Sequence, residues 1–306
     1  MWLVFVVYAL FASVFTVAKG ALGYAAPFFL VGSRMMIAGV LMLGYAAWRR
    51  PDSLRLNRSA LIHLGLLGFF NIYLTNVLEL WGLKYLTSFK TCFLYSLSPF
   101  LSALFSYFII HERLTIRKGI GLSIGLLGLW PMLAPQGYKE LLTGTLFGFS
   151  GAEVAVLCAV ISSVLGWIFL RQLIRDDGCS PVVANGYSMV LGGFLALIQS
   201  AFFESWSPLP VTDYGVWIES TIFLIVVSNI ICYNLYGHLL KDFSPTFMAF
   251  AGLSTPLFTA LFGWIFHGEV VTPSFFLSLA IVFVGLLVFY FEEIKAKEPR
   301  RATALR

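Results

Sequence analysis

Charge is what this chain of 306 residues has least of: 11% of its positions are charged and 59% are hydrophobic, with a mean hydropathy of +0.88. A soluble chain could not hide that much apolar surface, so a water-soluble protein is excluded and a polytopic membrane protein is expected. Aspartate is scarcer still. All five, Asp52, Asp176, Asp177, Asp213 and Asp242, lie in loops between apolar runs. No two of them can meet inside a bilayer, which speaks against an intramembrane aspartyl hydrolase. The four histidines, His63, His111, His238 and His267, lie at the ends of apolar runs, and none is placed to activate a buried serine. An enzyme is therefore not expected. The four cysteines, Cys92, Cys158, Cys179 and Cys232, have no metal-ligand spacing, and three fall inside apolar runs. They read as small hydrophobes, and neither a metal nor a cofactor is expected. A net charge of +5 invites a nucleic-acid partner, but the basic residues are spread over short loops instead of one stripe, so none is expected. Trp2 opens an apolar run without a basic n-region or a small-residue cleavage site, so a removable signal peptide is not expected either.

Repetition is what the chain does have. The stretch SLSPFLSALFSYFIIHERLT, from Ser96 to Thr115, returns as LSTPLFTALFGWIFHGEVVT from Leu253 to Thr272. Pro99 and Pro256, Glu112 and Glu269, Thr115 and Thr272, Gly128 and Gly285, and Lys84 and Lys241 are all separated by the same 157 residues. A shared step without insertion points to an internal duplication. Both prolines fall about halfway along an apolar run, where a missing N–H bends a helix and frees a carbonyl; helix kinks are expected at Pro99 and Pro256. Paired interruptions in corresponding positions of two halves point to the central site of a transporter.

Apolar runs of about twenty residues fall near 2–18, 28–48, 60–80, 88–110, 117–134, 147–170, 182–203, 214–236, 244–266 and 273–291. This predicts an all-α protein of ten transmembrane helices, with a first repeat over 1–140, a second over 141–292 and a cytoplasmic tail over 293–306. The even-numbered junctions and the tail carry fifteen Lys and Arg, the odd ones only Lys19, Lys84, Lys90 and Lys139. That bias puts both termini in the cytoplasm. Five helices per repeat is an odd number, so the second repeat must lie upside down. The halves are then related by a pseudo-two-fold axis in the membrane plane, with a site between them.

The string GLKYLTS from Gly82, LSPF from Leu97, HERLT from His111 and the glycines Gly119 to Gly128 resemble the EamA-type repeat of the drug/metabolite transporter superfamily, over roughly residues 2–291. The resemblance implies a ten-helix carrier working by alternating access in a bacterial inner membrane, with helices 1, 3, 4, 6, 8 and 9 lining the cavity and helices 5 and 10 outside. The opening from Tyr8 to Lys19, with PFFLVGSRM from Pro27, is similar to the S-adenosylmethionine/S-adenosylhomocysteine transporters of obligate intracellular bacteria such as chlamydiae. It implies uptake of the first compound in exchange for the second. Export of amino acids or drugs is the alternative within the superfamily.

Polar groups at depth are the candidate substrate contacts. Asn71 lies mid-span, and its repeat mate is Ser228, next to Asn229, so two amide-bearing helices are expected to face each other across the axis. Asn76 and Tyr95 join that set. The bland alternative for each amide is a bond to a neighbouring helix. Tyr8, Phe11 and Phe15, at i, i+3 and i+7, share one helix face that could stack on a planar ring or simply pack. Lys19 and Arg34 could attract a carboxylate; snorkelling is the alternative for Lys19 and a structural ion pair for Arg34. Glu79, Glu153 and Glu219 are candidates near span ends, where carboxylates are usually hydrated, and Glu153 keeps a proton-coupled exporter of cationic drugs in view. Glu112 and Glu269 read as loop caps or gate struts. Gly121 and Gly125 form a small-residue patch suited to close helix packing or to a homodimer through helices 5 and 10.

Overall fold

The computed structural model describes residues 2–54, 56–86, 91, 94–112, 115–128, 130–131, 150–258, 261–262 and 273–295. Among them the chain is all-helical: α1 Trp2–Ala21, α2 Pro27–Arg49, α3 Arg58–Tyr85, α4 Ser98–Ile110, α5 Ile116–Gly128, α6 Gly151–Arg175, α7 Pro181–Phe203, α8 Tyr214–Leu239, α9 Pro245–Ala251 and α10 Pro273–Lys295. Among the described residues, α1, α2, α3, α6, α7 and α8 are long and apolar enough to cross a membrane. Polar residues start them where the sequence places turn formers. Asn57, Ser180, Asp213 and Ser244 each accept a backbone N–H in the first turn of α3, α7, α8 and α9, and Pro27, Pro181 and Pro245 open their helices where no N–H is needed.

The helices gather in two compact units. One contains Leu10–Leu94 and Phe149–Asp242, hence most of α1 together with α2, α3, α6, α7 and α8. Here α2 and α7 run antiparallel at backbone contact. A Cβ on Gly193 would lie 2.7 Å from the Met36 nitrogen, and one on Gly39 would lie 2.8 Å from the Gly186 oxygen. Met36 and Gly193 are themselves 157 residues apart. Small residues allow this approach, and van der Waals packing rewards it.

The other unit contains Met1–Ala9, Tyr95–Gly148 and Phe243–Arg306. In it, α5 and α10 are also antiparallel: a Cβ on Gly285 would sit 2.7 Å from the Gly125 nitrogen, and one on Gly128 would sit 2.9 Å from the Val282 nitrogen. The small-residue patch at Gly121 and Gly125 is thus filled within the chain. Glu112 is a strut here. Its carboxylate takes the buried Lys118 ammonium at 3.4 Å and the Thr246 hydroxyl at 3.2 Å, tying the end of α4 to α5 and α9. Its mate Glu269 lies outside the described residues.

Two expectations about helix shape change. The long helices α3 and α8 are not α-helical throughout: Gly68–Leu74 and Leu224–Cys232 are π-helical, at matching positions of the two repeats. Conversely, Pro99 and Pro256 do not bend continuous helices. A turn at Ser96–Leu97 precedes α4, leaving Pro99 in its first turn, and a 3₁₀ turn at Gly252–Ser254 separates α9 from a helical stretch at 255–258 in whose first turn Pro256 lies. Each break falls within a turn of its proline because a proline deeper in a helix would lack the N–H for the i−4 carbonyl and clash with it, whereas a first-turn proline loses no hydrogen bond. Ser254 donates to the Ala251 carbonyl at 2.6 Å, repairing the break as a nearby hydroxyl is expected to.

The loops sort by parity. After α1 and after α7 they meet as a β-bridge between Ala25 and Val211, with Ala26 N–H donating to the Pro210 carbonyl at 3.0 Å. Glu204 adds the missing cap of α2, accepting Phe28 and Phe29 N–H at 2.8 and 2.9 Å and the Ser200 hydroxyl at 2.7 Å. At the other ends, His63 of α3 pairs with Asp177 after α6 at 2.7 Å, and Arg175 donates to the Lys241 carbonyl after α8.

Candidate functional site

The π segments decide where polar groups collect in the larger unit. A π turn widens the ladder and leaves carbonyls to be satisfied by side chains, a recurring feature of functional sites. Thr75 donates to the Phe70 carbonyl at 2.8 Å, and the Asn76 amide donates to the Asn71 and Ile72 carbonyls, both at 3.0 Å. The same Asn76 reaches two other helices. Its Oδ1 accepts the Arg34 guanidinium of α2 at 2.7 Å, and its Nδ2 lies 3.4 Å from the Tyr233 hydroxyl of α8. Asn76 and Tyr233 are repeat mates, 157 residues apart. Glu79, one turn further along α3 and half-buried, is close enough for its charge to act on both Arg34 and Tyr233.

Around this polar knot stands a set of rings. Trp167 of α6 stacks on Tyr236 with centroids 3.9 Å apart and tilts onto Tyr233 at 5.2 Å; Phe11 of α1 meets Tyr233 edge-on at 6.3 Å. A guanidinium, an amide, a phenol, a carboxylate and three further rings therefore converge from α1, α2, α3, α6 and α8.

Several buried polar atoms here are incompletely satisfied. Asn71 is 1% exposed and, among the described residues, neither its amide nitrogen nor its oxygen has a partner; the Arg34 Nε is also unmatched there. Asn71 presses on the backbone of α6, where a Cβ on Gly166 would fall 2.3 Å from its own Cβ. Burying an amide without partners is costly, so a native chain retains one where something else supplies the bonds. Asn229 faces elsewhere: its amide lies 2.8 Å from the Met35 sulfur and its oxygen is unmatched. Asn71 and Asn229 thus do not meet; the cross-repeat contact belongs to Asn76 and Tyr233. Ser228 is buried beside Asn229.

The other sequence candidates have surroundings of their own. Tyr8 belongs to the smaller unit, where its hydroxyl donates to the Met248 carbonyl and its ring covers Gly252. Phe11 belongs to the larger unit, and the side chain of Phe15 lies outside the described residues. Tyr95 is half-buried in the same smaller unit. Glu153 closes a capping box at the start of α6, accepting Ser150 N–H at 2.5 Å, so its carboxylate is a helix cap. Glu219 and Lys19 are exposed. Tyr233, Trp167 and Tyr236 escaped sequence reasoning because aromatics in apolar runs do not stand out; the 157-residue step from Asn76 was the signal that leads to Tyr233.

The chain matches the EamA-like transporter family over residues 1–134 and 150–291. It belongs to that family. With its apolar helices, family membership makes it a multi-pass membrane protein and a transporter. Among its relatives, a protein of Chlamydia muridarum named S-adenosylmethionine/S-adenosylhomocysteine transporter is 38% identical over 297 residues, 96% of this chain and 92% of its own. The protein of the same name from Chlamydia trachomatis serovar L2 is likewise 38% identical, over 96% of this chain and 90% of its own. A solved crystal structure superposes with a TM-score of 0.73 at 19% identity, covering 95% of this chain and 97% of that one, a likeness of fold.

Proposed function

We propose that the chain exchanges S-adenosylmethionine for S-adenosylhomocysteine across a bacterial inner membrane by alternating access. The observation that carries this reading is the 38% identity, over 96% of the chain, to transporters of that name. The two compounds share an adenine and a zwitterionic amino-acid end and differ by a sulfonium methyl. An exchanger must read the shared parts. Arg34 is suited to the carboxylate, and the rings of Phe11, Trp167, Tyr233 and Tyr236 to the adenine. Asn71, with both amide atoms unmatched, has hydrogen bonds to give to a ligand.

The ten-helix, inverted-repeat architecture with both termini in the cytoplasm is part of the same proposal. Antiparallel pairing of α2 with α7 and of α5 with α10 supports it, as does the meeting of repeat mates, Met36 with Gly193 and Asn76 with Tyr233. Residues that touch their own duplicates lie on a two-fold axis. Loop parity supports it as well, because odd junctions pair with odd and even with even. A homodimer through α5 and α10 would need faces other than their shared glycine seam.

Uptake of labelled S-adenosylmethionine by cells expressing the chain tests the reading. Competition by excess S-adenosylhomocysteine, with weaker competition by adenosine or methionine, is the expected result. No uptake above vector control, in cells where the protein is inserted, would refute the substrate and leave the transporter family standing.

A further inference from the structure

The larger unit holds a second feature, lined by none of Phe11, Arg34, Asn76, Trp167, Tyr233 or Tyr236. At the end where the loops after α1 and α7 bridge, a cavity of about 880 Å³ opens between them and the last turns of α3. It falls in the size range of roughly 300–1,000 Å³ typical of small-molecule sites. Trp81 and Tyr85 form an aromatic corner in its wall, with centroids 5.2 Å apart and planes at 62°. The Lys84 ammonium stands 6.0 Å from the Tyr85 ring centre, and the exposed Tyr24 ring lines the cavity too.

Charge in this cavity is paired by sign. Lys84 is a basic lining group, with three donors on its ammonium. Glu204 is an acidic one; of the roughly four acceptor positions on a carboxylate, three are taken by Phe28, Phe29 and Ser200, leaving one. Its bonds to the start of α2 and to Ser200 set the direction of that carboxylate. A flat ring surface, a cation and an anion together match a zwitterionic amino acid joined to a planar ring.

We propose that this vestibule is a second ligand site, which captures the amino-acid end between Lys84 and Glu204 and the planar ring against Trp81 and Tyr85 before the ligand reaches the Arg34 cluster. It rests on the substrate reading above and adds a station to it. With Glu204 engaged by the shared ammonium and Lys84 by the shared carboxylate, both exchange partners are read alike here.

The test uses the full chain without its native cysteines and with Tyr24→Cys, labelled from outside by an impermeant maleimide. Saturating S-adenosylhomocysteine should slow labelling at least about fivefold, and adenosine or methionine alone should slow it less. The protection should survive Asn71→Ala, which alters the central cluster only. In uptake assays Trp81→Ala should raise KM about fivefold or more, and Lys84→Gln about three- to fivefold, equally for both compounds and with little change in maximal rate. Protection without any uptake would support the vestibule while refuting the exchange reading. Saturable uptake with no protection, and with both KM values within twofold of the parent, would overturn the vestibule and leave the exchange reading intact. Protection lost in Asn71→Ala would also overturn it, since occlusion would then come from the central cluster.

Discussion

At the scale of single residues, the two asparagines of α3 are chemically alike and placed oppositely. Asn76 satisfies two π-segment carbonyls and the Arg34 guanidinium, whereas the Asn71 side chain bonds to no group among the described residues. Asn76→Ala should therefore cost about 1.5–3 kcal/mol, the range for a lost bond to a charged group, visible as a lower Tm in detergent. Asn71→Ala strands no partner, and removing an unpaired amide recovers its desolvation cost, so stability should change by no more than about 1 kcal/mol. Affinity should nevertheless fall in Asn71→Ala, and calorimetric titration with S-adenosylhomocysteine checks it. Unchanged affinity with a clearly lower Tm would make Asn71 a packing residue. That an amide at depth matters was legible from the chain alone, because such groups are rare in apolar runs. Which amide is saturated was not, since that depends on Gly166 letting α6 press on Asn71.

At the scale of elements, the spans read near 2–18, 28–48, 60–80, 147–170, 182–203 and 214–236 match α1, α2, α3, α6, α7 and α8 closely, because about twenty apolar residues are needed to cross a bilayer however they pack. Irregularities inside the helices match less well. No residue type encodes an i→i+5 turn, so the π segments of α3 and α8 had no signature, while the visible prolines mark breaks that precede them. The glycine patch of α5 could have served packing or dimerisation, and it serves packing against α10. Gly125→Leu should consequently destabilise the monomer by about 1–3 kcal/mol, an overpacking cost, because even its Cβ would lie 2.2 Å from the Phe250 ring. Its elution volume in mild detergent should match that of the parent. A shift to a smaller species with unchanged Tm would show that the patch holds two copies together.

At the scale of the whole molecule, loop charge and loop pairing make one joint prediction about sidedness. Single cysteines replacing Ser53 and Thr212, in a background lacking the native four, should label from opposite sides of the membrane, Thr212→Cys from outside; labelling of both from one side of intact cells would refute the inverted arrangement. The native Cys179, between α6 and α7, is a third reporter with its own pH signature. Burial, and secondarily the neighbouring Asp177, push its thiol above the usual range. Less thiolate is then present at any given pH, so in opened vesicles maleimide should label Cys179 more slowly than an exposed cysteine at neutral pH. The gap should narrow only as pH rises past the ordinary thiol range, near 8.5. Equal rates at neutral pH would contradict that burial.

The sequence alone was sufficient for membership of a membrane-transporter family, the internal duplication, the positions of the six long apolar helices and the bias in loop charge. These depend on hydropathy, a constant 157-residue step and loop charge, all summed along the chain and insensitive to packing. Tertiary structure decided which polar atoms are paired: Asn76 with Tyr233 and Arg34, Glu153 with its own helix start, Glu204 with the start of another helix. The physical reason is that hydrogen bonds are settled over a few ångströms between helices distant in sequence, and a glycine at one crossing changes what its neighbour can reach.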